Sequence, residues 1–278
     1  MKLEKIWAVY FSGTGTTRRT VERIAGGIAS RLNLPAESVD FSRPAVRQET
    51  LRFGEKDLVV FGTPVYAGRV PNVLLPFLRE RIMGGGALAV PVVLFGNRNY
   101  DDALIELRNI LAADGMHPIA AGAFVGEHSF SRVLGADRPN AEDEALMDEF
   151  AARVAALAAG LDAAPEKSVA VRGQEPLRPY YTPRDRAGNP INILKVKPKT
   201  DLSRCGGCGL CAEVCPMGSI DPADVSAVRG ICIKCCACVK GCPTGAKFFD
   251  DAGYLYHQHE LEAQYARPAE NEGFYIQL

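Results

Sequence analysis

The chain carries no surplus of charge of either sign and no long apolar run, and each lack narrows what it does. Its 32 Lys and Arg against 33 Asp and Glu leave a formal net charge of -1 over 278 residues, which argues against a nucleic-acid surface. No apolar stretch approaches the roughly 20 residues of a bilayer span, so no membrane span is expected and any membrane contact would come through a partner. The amino-terminal stretch lacks the charged start, apolar middle and small-residue cleavage site of a secretory signal. Cytoplasmic residence is therefore expected, and an oxidising compartment is not implied. With 47% hydrophobic residues the length suits one full domain plus a small one.

Cysteine is what the chain does have. Eight of its nine cysteines form two copies of C-x2-C-x2-C-x3-C-P: Cys205, Cys208, Cys211, Cys215 before Pro216, and Cys232, Cys235, Cys238, Cys242 before Pro243. The copies lie 27 residues apart, so the region is an internal duplication. Structural zinc needs only four-ligand sets and leaves the extra cysteines and both Cys-Pro steps unexplained. Soft thiolates suit iron and sulfide, and the two-residue gaps let successive thiolates converge from a tight loop. The spacing is similar to the ligand pattern of bacterial two-cluster ferredoxins, in which the fourth cysteine of each run reaches the other cluster. That likeness implies one 4Fe-4S cluster on Cys205, Cys208, Cys211 and Cys242, and a second on Cys232, Cys235, Cys238 and Cys215. Gly206, Gly207 and Gly209 let the first loop curl closely, whereas the second half carries no such glycine run, so the two clusters should differ in potential. Cys236 breaks the duplication, its counterpart being Gly209, and reads as a packed residue or spare thiol.

Residues 1–161 alternate strand-like apolar runs with helical patterns. Strands are expected at 6–11, 38–41, 58–62, 88–95 and 119–125, and helices at 17–32, 72–83, 101–113 and 141–161. Continuous apolar strands are those of a parallel sheet covered on both faces. Five of them fit an α/β, flavodoxin-like doubly wound sheet of order 2-1-3-4-5. Residues 162–200 hold six prolines and a basic surplus and read as a linker. Tyr180, Tyr181, Ile191, Ile193 and Leu194 are candidates to pin that linker to domain surfaces. A small α+β ferredoxin-like domain over 201–252 follows. The tail 253–278, with a helix at 254–265 and then Phe274, Tyr275 and Ile276, should clamp onto the large domain. His257 and His259 read as surface residues.

Three loops gather at the carboxyl edge of the sheet. The first strand runs through Ser12, Gly13, Thr14, Gly15, Thr16 and Thr17 into a helix, offering amides, hydroxyls and the positive helix end to one phosphate. No Gly-Lys-Ser/Thr ends this loop, and Arg18 stands where a dinucleotide fingerprint needs its third small residue. The second loop supplies Pro64, Val65, Tyr66, Ala67 and Gly68, and the third Gly96, Asn97, Arg98 and Tyr100. Together they suit a flat heterocycle with one phosphate. The Gly126–Phe130 segment lies nearby, and its His128 reads as a hydrogen-bonded structural histidine rather than a proton donor.

The first loop resembles the phosphate loop of flavodoxins, and the other two resemble their ring-flanking loops. With the cysteine repeat added, nearly the whole chain is similar to the family of fusions in which a flavodoxin-like domain precedes a two-cluster ferredoxin domain. The resemblance implies FMN held by residues 12–17, with Tyr66 and Tyr100 beside the ring. Flavodoxin ring loops are usually acidic, whereas Arg69 and Arg98 here are cationic and are expected to stabilise a reduced, anionic flavin. The expected function is electron transfer between two 4Fe-4S clusters and FMN, linking one-electron to two-electron traffic, with a redox partner protein as donor or acceptor. Two alternatives stand beside it. One is an FMN-dependent reductase of a small organic acceptor fed by the ferredoxin domain; the other is a flavin-free docking module that carries a ferredoxin.

Overall fold

The computed structural model describes residues 1–277. Its large unit is a doubly wound sheet of five parallel strands: β1 Lys5–Tyr10, β2 Ala36–Asp40, β3 Asp57–Pro64, β4 Leu88–Phe95 and β5 Ala120–Val125. Their order is 2-1-3-4-5, flavodoxin-like as expected. Helix α1 (Thr16–Leu32) buries Val21, Ile24, Ala25 and Ile28 at helical spacing against the sheet. Asn33, left-handed at φ 54°, ends it. The other large-unit helices are α2 (Leu75–Glu80), α3 (Ala103–Ala113) and α4 (Ala141–Ala159). Asn140 and Asp143 form a capping box at the start of α4. One apolar cluster fills each face of the sheet, around Phe41, Phe61 and Leu104 on one side and around Ile24, Phe124 and Val154 on the other.

Two features differ from the expected pattern and one is unusual for a central strand. The helix expected over 72–83 is a 3-10 turn followed by α2, because Ile82 and Met83 pair as a short strand with Leu51 and Arg52. Pro91 sits inside the central strand β4, where it cannot donate to a ladder. It falls where that edge of β4 changes partner, between the short pairing with His117–Pro118 and the pairing with β5 that resumes at Val92. The sheet also gains an antiparallel edge strand from the tail, Glu272–Tyr275, in register with Ala120–Ala123 of β5.

The cysteine-rich unit has little regular structure: β6 Lys199–Thr200 pairs with β7 Lys247–Phe248, and helices α5 (Leu210–Glu213) and α6 (Ala237–Lys240) each follow a cysteine loop. Helix α7 (Ala252–Gln264) leads from there back to the edge strand, which is β8. The proline-rich segment is strapped down rather than loose. Arg178 pairs with buried Asp102, Tyr180 Oη donates to Val70 O at 2.8 Å, and Tyr181 N donates to Ala67 O. Ile193 is buried, but Leu194, expected to pin the strap, is 79% exposed. None of the described helices is long and apolar enough to cross a membrane.

Candidate functional site

The loop from β1 to α1 keeps its donors free. Gly15 is left-handed at φ 88°, with open space on its side-chain side, and makes the turn into the helix. Arg18 N donates to Ser12 Oγ at 3.2 Å, and Ser12 N donates to Ser42 Oγ at 2.7 Å. The amides of Thr14, Gly15, Thr16 and Thr17 have no acceptor among the described residues, and the first turn of α1 holds no acidic side chain. Such a cradle fits a phosphate monoester.

Beside it opens a crevice enclosing about 480 Å³, mouth included. Gly13, Thr14, Thr16 and Thr17 form one wall; Pro64, Val65, Tyr66 and Gly96 form another; Gly126, Glu127, His128 and Ser129 close the third. The donor set and the shape fit a phosphorylated flat ring. Tyr66 is half-buried here, and burial, then the neighbouring Cys235, pushes its hydroxyl well above the usual range.

Other residues of the ring loops turn elsewhere. Tyr100, expected beside the ring, is 4% exposed, packs on Phe95 and donates its hydroxyl to Glu272 of β8 at 2.9 Å. Asn97 is buried and holds the tail: its amide nitrogen donates to Tyr265 O at 2.7 Å and Arg267 O at 3.0 Å, and its oxygen accepts from Ala269 N. The two arginines expected to face a reduced flavin are already neutralised. Arg69 makes a bidentate pair with buried Glu106 and stacks on Tyr180; Arg98 pairs with Asp101 and lies over the Tyr181 ring. Ala67 is exposed, while Gly68 packs against Asp101.

His128 is half-buried in the crevice wall, where its Nδ1 accepts from Phe130 N at 3.1 Å. Burial, then Lys240, lowers it to about 3, so it is a neutral structural histidine. His257 was expected at the surface. It is 6% exposed, stacked on Tyr181 and edge-on to Phe130, and burial then Arg98 lowers it to about 4.

The cysteines divide between two places. Cys215, Cys232, Cys235, Cys238 and also Cys236 line one apolar cavity of about 370 Å³ with Pro216, Ile220 and Phe249. Burial pushes the Cys235 and Cys238 thiols up to about 12, and a metal that binds such thiols displaces their protons. Cys211 and Cys242 lie close enough to influence each other, and Cys208 is exposed. Burial raises Cys242, but the hydroxyl of Thr244 and the amides of Lys247, Thr244 and Ala246 outweigh it and hold the thiol near 7. The duplication reaches the backbone. Ser219 N donates to Cys215 Sγ and, 27 residues on, Ala246 N donates to Cys242 Sγ at 3.2 Å. Left-handed Gly207 and Gly209 are matched by left-handed Lys234 and Cys236, so the second loop takes the same turns without glycine. Soft sulfur donors of this kind suit iron–sulfur chemistry, and among the described residues no three His, Cys, Asp or Glu side chains converge on a single metal ion.

The two sites share a wall. Cys235 lines the cysteine cavity and also the crevice of the large unit, beside Gly13. Lys240 of α6 reaches into the crevice rim, pairing with Glu127 and donating to His128 O at 2.7 Å and Ser131 O at 2.9 Å. No signal in the sequence marked Lys240, since its partners lie more than 100 residues away.

Comparison with known proteins agrees with both halves. Residues 8–125 match the family model of the flavodoxin domain and residues 198–221 that of the 4Fe-4S binding domain; the second cysteine run lies outside that match. No curated protein matches the chain at a significant level. Among solved structures, a flavodoxin from the domain Archaea is 16% identical over 55% of this chain and 96% of its own, with a TM-score of 0.40. Rubredoxin oxygen:oxidoreductase from Desulfovibrio gigas is 16% identical over 58% of this chain and 38% of its own, at 0.36. A mutant flavodoxin of Fusobacterium nucleatum bound to flavin mononucleotide is 14% identical over 57% and 95%, at 0.35.

Proposed function

From a chain that joins a flavodoxin domain to a 4Fe-4S ferredoxin domain, we propose an electron-transfer protein with three redox groups in line. One cluster is held by Cys205, Cys208, Cys211 and Cys242, a second by Cys215, Cys232, Cys235 and Cys238, and an FMN lies in the crevice that Cys235 adjoins. Clusters exchange single electrons and a flavin exchanges one or two, so together they join one-electron to two-electron traffic.

The residues of the chain hold these groups. The free amides of residues 14–17 bind the phosphate, and Pro64, Val65, Tyr66 and Gly96 wall the ring. In this reading residues 1–161 carry the flavin and 201–252 the clusters. The strap 162–200 and the tail 253–278 fix one to the other, which keeps the effective concentration of each site at the other high. The exposed Cys208 marks where a redox partner protein approaches. The cytoplasm, where thiols stay reduced, suits this ligand set.

The observation that carries the proposal is Cys235 in the lining of both cavities. It also favours a carrier over a reductase of small acceptors, because such a reductase needs the ring open to solution and Cys235 stands on that approach. The test is anaerobic purification with iron, sulfide and flavin analysis, expecting about eight irons and one FMN per chain. Cys208→Ala should remove about half of the iron and stop dithionite-derived electrons from reaching an external acceptor, with flavin retained. Protein purified without flavin, or with only four irons, would overturn the proposal.

A further inference from the structure

Lys247 is a buried cation with no anion of its own. Its side chain is 2% exposed, at the first residue of β7. The ammonium donates to one neutral acceptor, Val225 O, which it shares with the Thr200 hydroxyl. No carboxylate lies within ion-pair distance of it among the described residues. An unpaired ammonium withdrawn from water is costly, and proteins keep one only where something negative offsets it.

Its surroundings identify the negative partner. Lys247 directly follows Ala246, whose amide donates to Cys242 Sγ at 3.2 Å, so the buried lysine stands next in the chain to a contact with that sulfur. Four thiolates on a 4Fe-4S core leave a net negative charge, which grows on reduction. The duplication sharpens the point. The residue 27 positions before Lys247 is Ile220, also buried and lining the cavity of Cys215, Cys232, Cys235 and Cys238. The two halves therefore place a lysine in one and an apolar residue in the other at the same position, five residues after the last cysteine of each run.

We propose that Lys247 is the resident counter-ion of the clusters, acting most strongly on the one held by Cys205, Cys208, Cys211 and Cys242 and raising its reduction potential above that of its twin. The inference rests on the reading that these cysteines hold clusters. Lys247 is a positioning and tuning residue: it contacts no substrate, and its charge favours the more negative, reduced state of the cluster next to it.

The experiment is a potentiometric titration of the full chain, followed by electron paramagnetic resonance, in wild type, Lys247→Met and Lys247→Gln. Iron and sulfide content is measured first, so that a chain without clusters, which would sink the underlying reading, is told apart from clusters whose potentials do not respond. In both neutral variants one couple should fall, its ratio of reduced to oxidised cluster at fixed ambient potential dropping about tenfold, or about 59 mV for one electron. The other couple should fall by less. Unchanged couples in variants with full iron content would overturn the proposal. If both neutral variants fail to assemble clusters, Lys247→Arg decides: restored iron content supports the counter-ion role, and continued failure assigns Lys247 to packing and overturns it.

Discussion

Gly13 and Cys235 are in contact across the junction of the two units. A carbon added at Gly13 would lie 3.1 Å from the Cβ of Cys235 and 3.5 Å from the Tyr66 hydroxyl. A side chain at residue 13 would thus be tight against the cysteine, which would have to give by a few tenths of an ångström. Glycine at residue 13 keeps this approach of the cysteine loop to the crevice free of strain.

Gly13→Val tests this closeness. The Cβ already lies 3.1 Å from that of Cys235 and the branch adds two methyl groups there, and overpacking of this kind costs about 1–3 kcal/mol. Iron and sulfide content should stay at the wild-type level, while reduction of the flavin by the clusters, followed by stopped-flow absorbance, slows. An unchanged rate would mean that the contact does not govern transfer.

Lys240→Met removes the charged tie at the crevice rim. The ammonium meets Glu127 and two carbonyls while only 14% exposed. Loss of these charge-assisted bonds is expected to cost about 2 kcal/mol. Hydrogen exchange should locate the effect in residues 127–131, with protection elsewhere in the sheet retained. Uniform loss of protection would mean that Lys240 supports the whole fold rather than the rim.

His257→Phe addresses acid stability. Folded His257 titrates near 4 and His128 near 3, against about 6.5 in an unfolded chain. Both are neutral when folded, so as pH falls below about 6.5 the unfolded chain takes up protons that the folded chain refuses. Stability is therefore full above that pH and declines toward pH 4. Phenylalanine keeps a ring between Tyr181 and Phe130 and removes one titrating group. Denaturation curves at pH 7 and 4.5 should show the variant losing about 2 kcal/mol less than wild type. Equal losses would show that His257 is not held neutral.

What could be read from the sequence is local, and what could not comes from distant partners. The apolar runs mark β1, β3, β4 and β5 because a doubly covered parallel strand is largely apolar, whereas the edge strand β2 is mostly exposed and carries little of that signal. The phosphate loop was legible because its glycines and hydroxyls are consecutive. Tyr100 and Asn97 looked like ring-loop residues by position, yet Glu272 and the carbonyls of Tyr265 and Arg267 claim them from about 170 residues away. His257 reads as a surface residue in the sequence. It is buried by Tyr181, which the strap delivers. The left-handed turns at Lys234 and Cys236 were hidden because only their glycine counterparts advertise that conformation.

Cys236→Ala separates a bystander thiol from a ligand one residue away. Cys236 is left-handed at φ 59° and starts α6, and its Sγ approaches Lys234 O at 3.5 Å and Tyr254 Oη at 3.4 Å. Its counterpart in the first run is Gly209, so it stands outside both sets of four. The alanine variant should keep the wild-type iron and sulfide content, whereas Cys235→Ala should lose about half. Cys236→Gly adds a second reading. It gives up the packed thiol but relieves a left-handed residue of about 1 kcal/mol of backbone strain, so its thermal midpoint should stay near that of the alanine variant or exceed it. Loss of half the iron in both variants at position 236 would make Cys236 a ligand and require Cys235 or another cysteine to leave the set.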